Sequence, residues 1–132
     1  MTIIFIEDDP WLSELYGTAL RRINNLQVFT ANSADTALDT LNTQKVDLIV
    51  LDMFLGAHNG IEFLHEIASY EDTRHTPVVI LSAVHEHDFG MTAQRWKQYN
   101  VVKYLYKPST KPELLVAAVT KQLLSMEASN VQ

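Results

Sequence analysis

Four places in the sequence put polar side chains directly after a short apolar run. Glu7-Asp8-Asp9 follows the first run and Asp52 the third, while Ser82 and Lys107 follow the fourth and fifth. If these runs are parallel strands, their carboxyl ends meet at one edge of a sheet, where open α/β sheets bind ligands. Carboxylates, a hydroxyl and an ammonium would then share one site.

Such a group of carboxylates favours a bound cation, because like charges at close range push at least one pKa up. Hard oxygen ligands in small number suit Mg²⁺, with Mn²⁺ as the alternative. The metal would attract a phosphate, Lys107 would lie opposite it as a compact positive charge, and Ser82 would donate to a phosphoryl oxygen. For Asp9, the following proline favours a helix N-cap over a metal ligand.

The apolar runs predict the strands that position these residues. They are continuous and rich in β-branched residues, with little alternation, which is typical of strands buried on both faces of a parallel sheet. The runs are residues 3–6, 26–29, 48–51, 78–81 and 101–105. The sequence therefore predicts a sheet between two helical layers.

Amphipathic segments between the runs predict the helices. Asp9-Pro10 and Ser33 have the residue types of helix N-caps, and residues 86–99 predict a fourth, less regular helix. Five strands that alternate with five helices give an α/β doubly wound fold. The pattern alone leaves the strand order open.

The polar positions also carry a specific resemblance. The matching pieces are Ile6-Glu7-Asp8-Asp9, Asp52 with Gly60 eight residues later, Ser82-Ala83, and Tyr104-Leu105-Tyr106-Lys107-Pro108. From Ile3 to about Leu124 the chain resembles the receiver domain of response regulators in two-component signalling. The resemblance implies a five-stranded parallel sheet with strand order 2-1-3-4-5 and five helices.

The resemblance implies a role for each residue of the acidic site. Asp52 would be the phospho-acceptor and a Mg²⁺ ligand. Asp8 would bind the metal directly, Glu7 through water, and Phe54 through its backbone carbonyl.

The same resemblance implies how a signal would leave the site. Lys107 would pair with the phosphoryl group on Asp52, Ser82 would turn toward it, and Tyr104 would then change rotamer. The surface affected would comprise the fourth helix, fifth strand and fifth helix. A histidine kinase or phosphotransfer protein would be the donor, and a downstream protein would bind that surface. We expect no classical enzyme, but a protein that catalyses its own phosphorylation and dephosphorylation.

Composition and length set the wider expectations. A net charge of −6 with scattered Lys and Arg argues against direct nucleic-acid binding. No apolar run approaches the roughly 18 residues of a membrane span, and the N-terminus lacks a basic signal-peptide start, so we expect a cytoplasmic protein. Residues 1–125 would form the receiver domain and residues 126–132 a short tail, which favours a stand-alone receiver, either monomeric or dimeric on phosphorylation.

The chain departs from the family pattern in several places. Gly56 stands where the family usually has proline, and 25 positions separate Ser82 from Lys107, which predicts an unusual segment before the fifth strand. Phe54 and Val84 flank the expected phosphorylation site. Neither side chain can orient an attacking water, so we expect slow self-dephosphorylation.

Three alternatives use the same fold class. An aspartyl phosphatase would need a second Asp two residues after its nucleophile, where this chain has Phe54. A flavodoxin-like cofactor binder would need a small-residue loop after the first strand, where Glu7-Asp8-Asp9 would repel phosphate. A phosphorylation-independent interaction module is disfavoured by the complete set of acidic and basic residues, but it stays open.

Overall fold

The computed structural model describes residues 1–56 and 58–130, and a five-stranded parallel sheet forms its centre. The strands are β1 (Thr2–Ile6), β2 (Gln27–Ala31), β3 (Leu48–Leu51), the short β4 (Phe54–Leu55) and β5 (His58–Asn59), then β6 (Val78–Ser82) and β7 (Val101–Tyr106). The large sheet has the order β2-β1-β3-β6-β7, and all its pairs are parallel. Counted within this sheet alone, the order is 2-1-3-4-5, which confirms the order that the resemblance implied.

The described residues contain five α-helices, of which the first four connect strands and the fifth follows β7. They are α1 (Pro10–Arg21), α2 (Ala34–Thr43), α3 (Gly60–Ser69), α4 (Ala93–Gln98) and α5 (Pro112–Asn130). In the described ranges, none of them combines the length and apolarity that crossing a bilayer requires.

The predicted caps fix where the first two helices begin. Asp9 accepts hydrogen bonds from the backbone N–H groups of Trp11 and Leu12, and Pro10 occupies the first helical position. Ser33 and Thr36 form a reciprocal capping box at α2. Each cap satisfies N–H groups that have no partner within the helix, which stabilises the helix by about 1 kcal/mol.

The hydrophobic core has one layer on each face of the sheet. Residues 3–6 and 48–51 are fully buried, as expected for central parallel strands. One cluster joins the sheet to α2, α3 and Trp96 of α4, and the other joins it to α1 and α5. Each fully buried Leu or Ile contributes about 1.5–3 kcal/mol, so the strand positions are strongly determined.

The segment before β7 differs from the single irregular helix predicted over residues 86–99. Glu86–Phe89 form a 3₁₀ turn that ends at Gly90 in the left-handed region, and α4 spans only six residues. Asn100 follows in a left-handed conformation, φ 60°, which Asn tolerates better than most residues. The unusual segment is therefore a short turn followed by a short helix.

Two other features lie outside the sequence predictions. Phe54–Leu55 and His58–Asn59 pair as a small antiparallel hairpin directly after Asp52. Helix α5 continues to Asn130, and Met126 packs against the core cluster of α1 and α5. The helix thus runs past residue 125, where the domain was predicted to end.

Candidate functional site

The sheet fixes the backbone of the two buried carboxylates. The Asp52 N–H donates to the carbonyl of Ile6 at 3.1 Å, and the Glu7 N–H donates to the carbonyl of Ala31 at 3.0 Å. These bonds continue the ladders of β3 with β1 and of β1 with β2. The Glu7 and Asp52 side chains are consequently held at neighbouring strand ends, 1% and 8% exposed.

Lys107 lies between these two carboxylates. Its Nζ donates to Glu7 Oε1 at 2.6 Å and to Asp52 Oδ2 at 3.2 Å. Lys107 begins the 3₁₀ turn that follows β7, so three separate strand ends build this cluster. The two buried acids thus share one ammonium group.

Glu7, Asp8 and Asp52 form a carboxylate group whose ligand atoms all lie within 4.8 Å of one another. Among the side chains that the structure describes, no other group of three acidic or imidazole side chains has this spacing. Asp8 is exposed, and its Oδ2 accepts the N–H of Gly56 at 2.9 Å. Hard, charged oxygens open to solvent on one side fit a divalent cation such as Mg²⁺.

The ionisation of the cluster reflects its burial. Burial raises the pKa of the Glu7 carboxyl to about 7, with the neighbouring Asp52 adding to the effect and Lys107 opposing it. Burial alone would lower the pKa of Lys107, but its hydrogen bond to Glu7 and the charge of Asp52 outweigh burial and raise it. Lys107 therefore stays charged, while a second cation would favour the ionised form of Glu7.

Ser82 and Tyr104 lie one and two strands away from Asp52. Ser82 is fully buried at the end of β6, and its Oγ accepts the N–H of Val84 at 3.2 Å. The Tyr104 hydroxyl donates to the carbonyl of Val84 at 2.5 Å. Burial raises the Tyr104 pKa, and its hydrogen bond with Ser82 opposes that rise. The two predicted switch residues are thus joined around Val84.

The remaining predicted residues have distinct positions. The Phe54 backbone N–H donates to Asp52 Oδ1 at 3.1 Å, while the Phe54 side chain is 46% exposed. Asp9 caps α1, as predicted, and its N–H donates to Glu7 Oε2 at 3.2 Å. The metal-ligand role of the Phe54 carbonyl stays a prediction.

Sequence reasoning missed one neighbour of the site, Phe89. Its ring stacks on Phe54 with centroids 5.9 Å apart and an interplanar angle of 29°. No motif marks this residue, and only its half-buried position in an otherwise exposed 3₁₀ turn distinguishes it.

Comparison with known proteins gives one family. The family model described as the response regulator receiver domain matches residues 3–120. The transcriptional regulatory protein MalR of Bacillus subtilis is 32% identical over 109 residues, 82% of this chain and 44% of that protein. The phosphate regulon transcriptional regulatory protein PhoB of Escherichia coli is 30% identical over 131 residues, 98% of this chain and 56% of that protein. The chain thus spans about half the length of these curated relatives.

Solved structures share the fold. A CheY-like response regulator receiver domain protein from Methanospirillum hungatei aligns with a TM-score of 0.81 at 16% identity and covers 98% of both chains. The chemotaxis response regulator CheY4 of Vibrio cholerae aligns with a TM-score of 0.77 at 20% identity, over 91% of this chain and 96% of that one. At these identities the likeness concerns the fold alone.

Proposed function

We propose, since this chain belongs to the response regulator receiver domain family, that it is a phosphorylation-dependent switch with Asp52 as the phosphoryl acceptor. The observation that carries the proposal is the contact between Asp52 and Lys107 at 3.2 Å, at the buried end of β3. A nucleophilic carboxylate beside a fixed ammonium is suited to accept a phosphoryl group, because the ammonium offsets the charge that arrives.

We assign metal binding in this switch to Asp8 and Asp52, with Glu7 acting through water and Phe54 through its carbonyl. The spacing of the three carboxylates supports this assignment, and so does the pKa of Glu7, which burial and Asp52 raise, because a bound cation would offset both effects. Bound Mg²⁺ would supply the charge that orients a phosphate and stabilises its oxygens. Mn²⁺ prefers the same ligands.

The chemistry requires little beyond positioning. A carboxylate oxygen of Asp52 would attack the phosphorus of a phosphohistidine or an acyl phosphate in line. A new P–O bond forms as the P–N bond of phosphohistidine, or the P–O bond of the acyl phosphate, breaks, and the histidine or carboxylate leaves. Lys107 would hold a phosphoryl oxygen throughout. The protein would thereby catalyse its own phosphorylation, and its slow hydrolysis, without being a classical enzyme.

The phosphoryl group would alter the balance between two arrangements of the switch residues. Ser82 would turn its hydroxyl toward the new dianion and release the N–H of Val84. Tyr104, bonded to the carbonyl of Val84, would then repack. The surface formed by α4, β7 and α5 would carry the change to a downstream protein, or to a second copy of the domain.

The partners follow from the family. Receiver domains take their phosphoryl group from histidine kinases or phosphotransfer proteins, and we assign this chain the same donors in the cytoplasm. Because α5 continues to Asn130 and Met126 packs on the core, we extend the receiver domain beyond residue 125. We give it no direct contact with nucleic acid.

The test is intact-mass spectrometry after incubation with acetyl phosphate, with and without Mg²⁺. We expect a mass gain of one phosphoryl group that needs Mg²⁺ and disappears in Asp52→Asn. Asp47→Asn is the matched control, because Asp47 lies before β3 and accepts only the Thr2 N–H. If neither acetyl phosphate nor beryllofluoride modifies the wild type, the phosphorylation-independent interaction module becomes the better interpretation.

A further inference from the structure

Phe89 attaches the end of the 3₁₀ turn after β6 to the core. The first three residues of this turn are exposed, whereas Phe89 is half-buried and packs against the core cluster of α2 and α3. The start of the turn is held separately, by the ring of His85 stacked on Tyr106. Gly90, at φ 64°, reverses the chain into α4, so the part of the turn that leads into α4 is positioned by the contacts of the Phe89 ring.

On one side, that ring contacts the loop of the phosphorylation site. Phe89 stacks on Phe54 at 5.9 Å, and the backbone N–H of Phe54 is bonded to Asp52 Oδ1. A movement of the Asp52 carboxylate that changes this bond therefore acts on the backbone of Phe54, and the ring of Phe54 lies on Phe89.

On the other side, Phe89 contacts two rings of different elements. It lies edge to face with Trp96 of α4 at 6.0 Å and with Tyr104 of β7 at 6.2 Å. Trp96 and Tyr104 also contact each other, with centroids 5.6 Å apart. We define the aromatic cluster as Phe54, Phe89, Trp96 and Tyr104.

The contacts of the aromatic cluster lead into those of the switch residues. From Tyr104 the path continues through the Val84 carbonyl, and from the Val84 N–H to Ser82 Oγ. Asp52 and Ser82, which follow or end neighbouring strands, are thus connected through the aromatic rings.

One atom of the aromatic cluster lacks a hydrogen-bond partner. Trp96 is 5% exposed, and its Nε1 has no partner among the residues that the structure describes. Buried N–H groups rarely lack a partner. A rotation of the indole that gave Nε1 a partner would offset part of the lost ring contacts, so Trp96 is suited to respond to a change at Phe89.

We propose that Phe89 is a positioning residue that couples the state of Asp52 to Trp96, through the stack on Phe54. The proposal rests on the proposed phosphorylation of Asp52 and extends it: α4 responds through the aromatic cluster in addition to the Ser82–Tyr104 pair. Coupling between two sites requires an element that both of them bias, and Phe89 contacts both Phe54 and Trp96.

Trp96 fluorescence tests the proposal, because the chain has two tryptophans and the other, Trp11, is 70% exposed. In the full chain with Trp11→Phe, we expect acetyl phosphate and Mg²⁺ to change Trp96 emission, and Asp52→Asn to abolish the change. In Phe89→Leu we expect the same phosphoryl mass gain, measured on the same samples, with the emission change lost. Phe89→Tyr keeps the ring and should restore it.

Phe29→Leu is the matched control, because Phe29 is a half-buried ring on the same core cluster but outside the aromatic cluster. It should lower thermal stability without loss of the emission change. An emission change that persists in phosphorylated Phe89→Leu, or is missing from a phosphorylated Trp11→Phe background, overturns the proposal and leaves the phosphorylation of Asp52 intact. No mass gain and no response to beryllofluoride would overturn both.

Discussion

Lys107 is held more closely by Glu7 than by Asp52: its Nζ lies 2.6 Å from Glu7 Oε1 and 3.2 Å from Asp52 Oδ2. Glu7 is almost fully buried, and the two residues of the shorter pair are 100 positions apart in the sequence. The ammonium that would pair with a phosphoryl group on Asp52 is thus also the counter-ion of a second buried acid, Glu7. Lys107 therefore has a structural role, as the counter-ion of Glu7, in addition to its proposed role in phosphorylation.

Loss of that counter-ion should destabilise the fold. Lys107→Met leaves two buried acids without their cation, and we expect the free energy of unfolding to fall by about 3 kcal/mol. Urea denaturation at neutral pH in the presence of EDTA measures it. Glu7→Gln combined with Lys107→Met should cost less than the sum of the single changes, since it removes both charges. Additive losses would show that the pair is not coupled.

Mg²⁺ should raise the melting temperature through Asp8. A ligand that binds only the folded state stabilises it by about 2.7 kcal/mol at a hundredfold excess over its Kd. We expect this gain for wild type and its loss in Asp8→Asn, measured by differential scanning fluorimetry. Asp9→Asn is the control, because Asn caps a helix as well as Asp and should keep the full effect. An equal rise in melting temperature in Asp8→Asn would show that the metal does not bind to this carboxylate.

The phosphoryl group on Asp52 should be long-lived in the isolated protein. Phe54 and Val84 offer no group that orients water, so Phe54→Asn should increase the decay rate several-fold, followed by intact mass after removal of acetyl phosphate. Tyr70→Asn replaces an aromatic side chain of the same 46% exposure at the end of α3 and should leave decay unchanged. Rapid decay of the wild type that Phe54→Asn does not alter contradicts this expectation.

Two glycines should respond in opposite ways to alanine. A Cβ at Gly60 would lie 2.6 Å from Met53 Sδ and 2.8 Å from Met53 Cα, and the backbone atom has little room to move. Gly60→Ala should therefore lower the free energy of unfolding by about 1–3 kcal/mol. At Gly17, the nearest atom is the end of the flexible Arg21 side chain, at 3.3 Å. Gly17→Ala should gain up to about 1 kcal/mol of helix propensity in the same denaturation assay.

Tyr16 should make stability depend on alkaline pH. Burial raises its pKa, with smaller contributions from Lys107, which lowers it, and Glu7, which raises it. Because the folded pKa exceeds the unfolded value of about 10, the stabilisation is complete below pH 10 and is lost as pH rises through the folded pKa.

Tyr16→Phe tests this dependence of stability on pH by removing only the hydroxyl group. It deletes the hydrogen bond to the Thr110 carbonyl, 2.6 Å long, and should cost about 1 kcal/mol at neutral pH. Above pH 10 the stability of the variant should decline less steeply than that of the wild type. Parallel curves in urea denaturation across that range would assign the alkaline loss to other groups.

The large sheet and the residues at its edge were determined by the sequence itself. Continuous β-branched runs such as residues 48–51 specify buried parallel strands, and parallel strands bring their carboxyl ends to one edge. Asp8, Asp52 and Lys107 follow those runs directly, so their convergence is a consequence of chain direction. The helix caps could also be predicted from the sequence, because Asp9 and Ser33 each accept hydrogen bonds from residues within three positions.

Strand order needed the resemblance to a family, because apolar periodicity is the same for any order of buried strands. Helix boundaries were hardest to predict where the apolar pattern of the sequence is weak. Residues 86–99 carry one irregular apolar pattern, and only the packing of Phe89 and Trp96 against the sheet divides them into a turn and a short helix.

Only the tertiary structure decided how the site residues pair. The distances from Lys107 Nζ to Glu7 and to Asp52 differ by only tenths of an ångström. A difference this small depends on the exact position of the turn after β7. The stack of Phe89 on Phe54 likewise joins two loops that no local pattern relates. Local propensity and periodicity act over a few residues, whereas these contacts are set by chain segments that meet only after the whole sheet has formed.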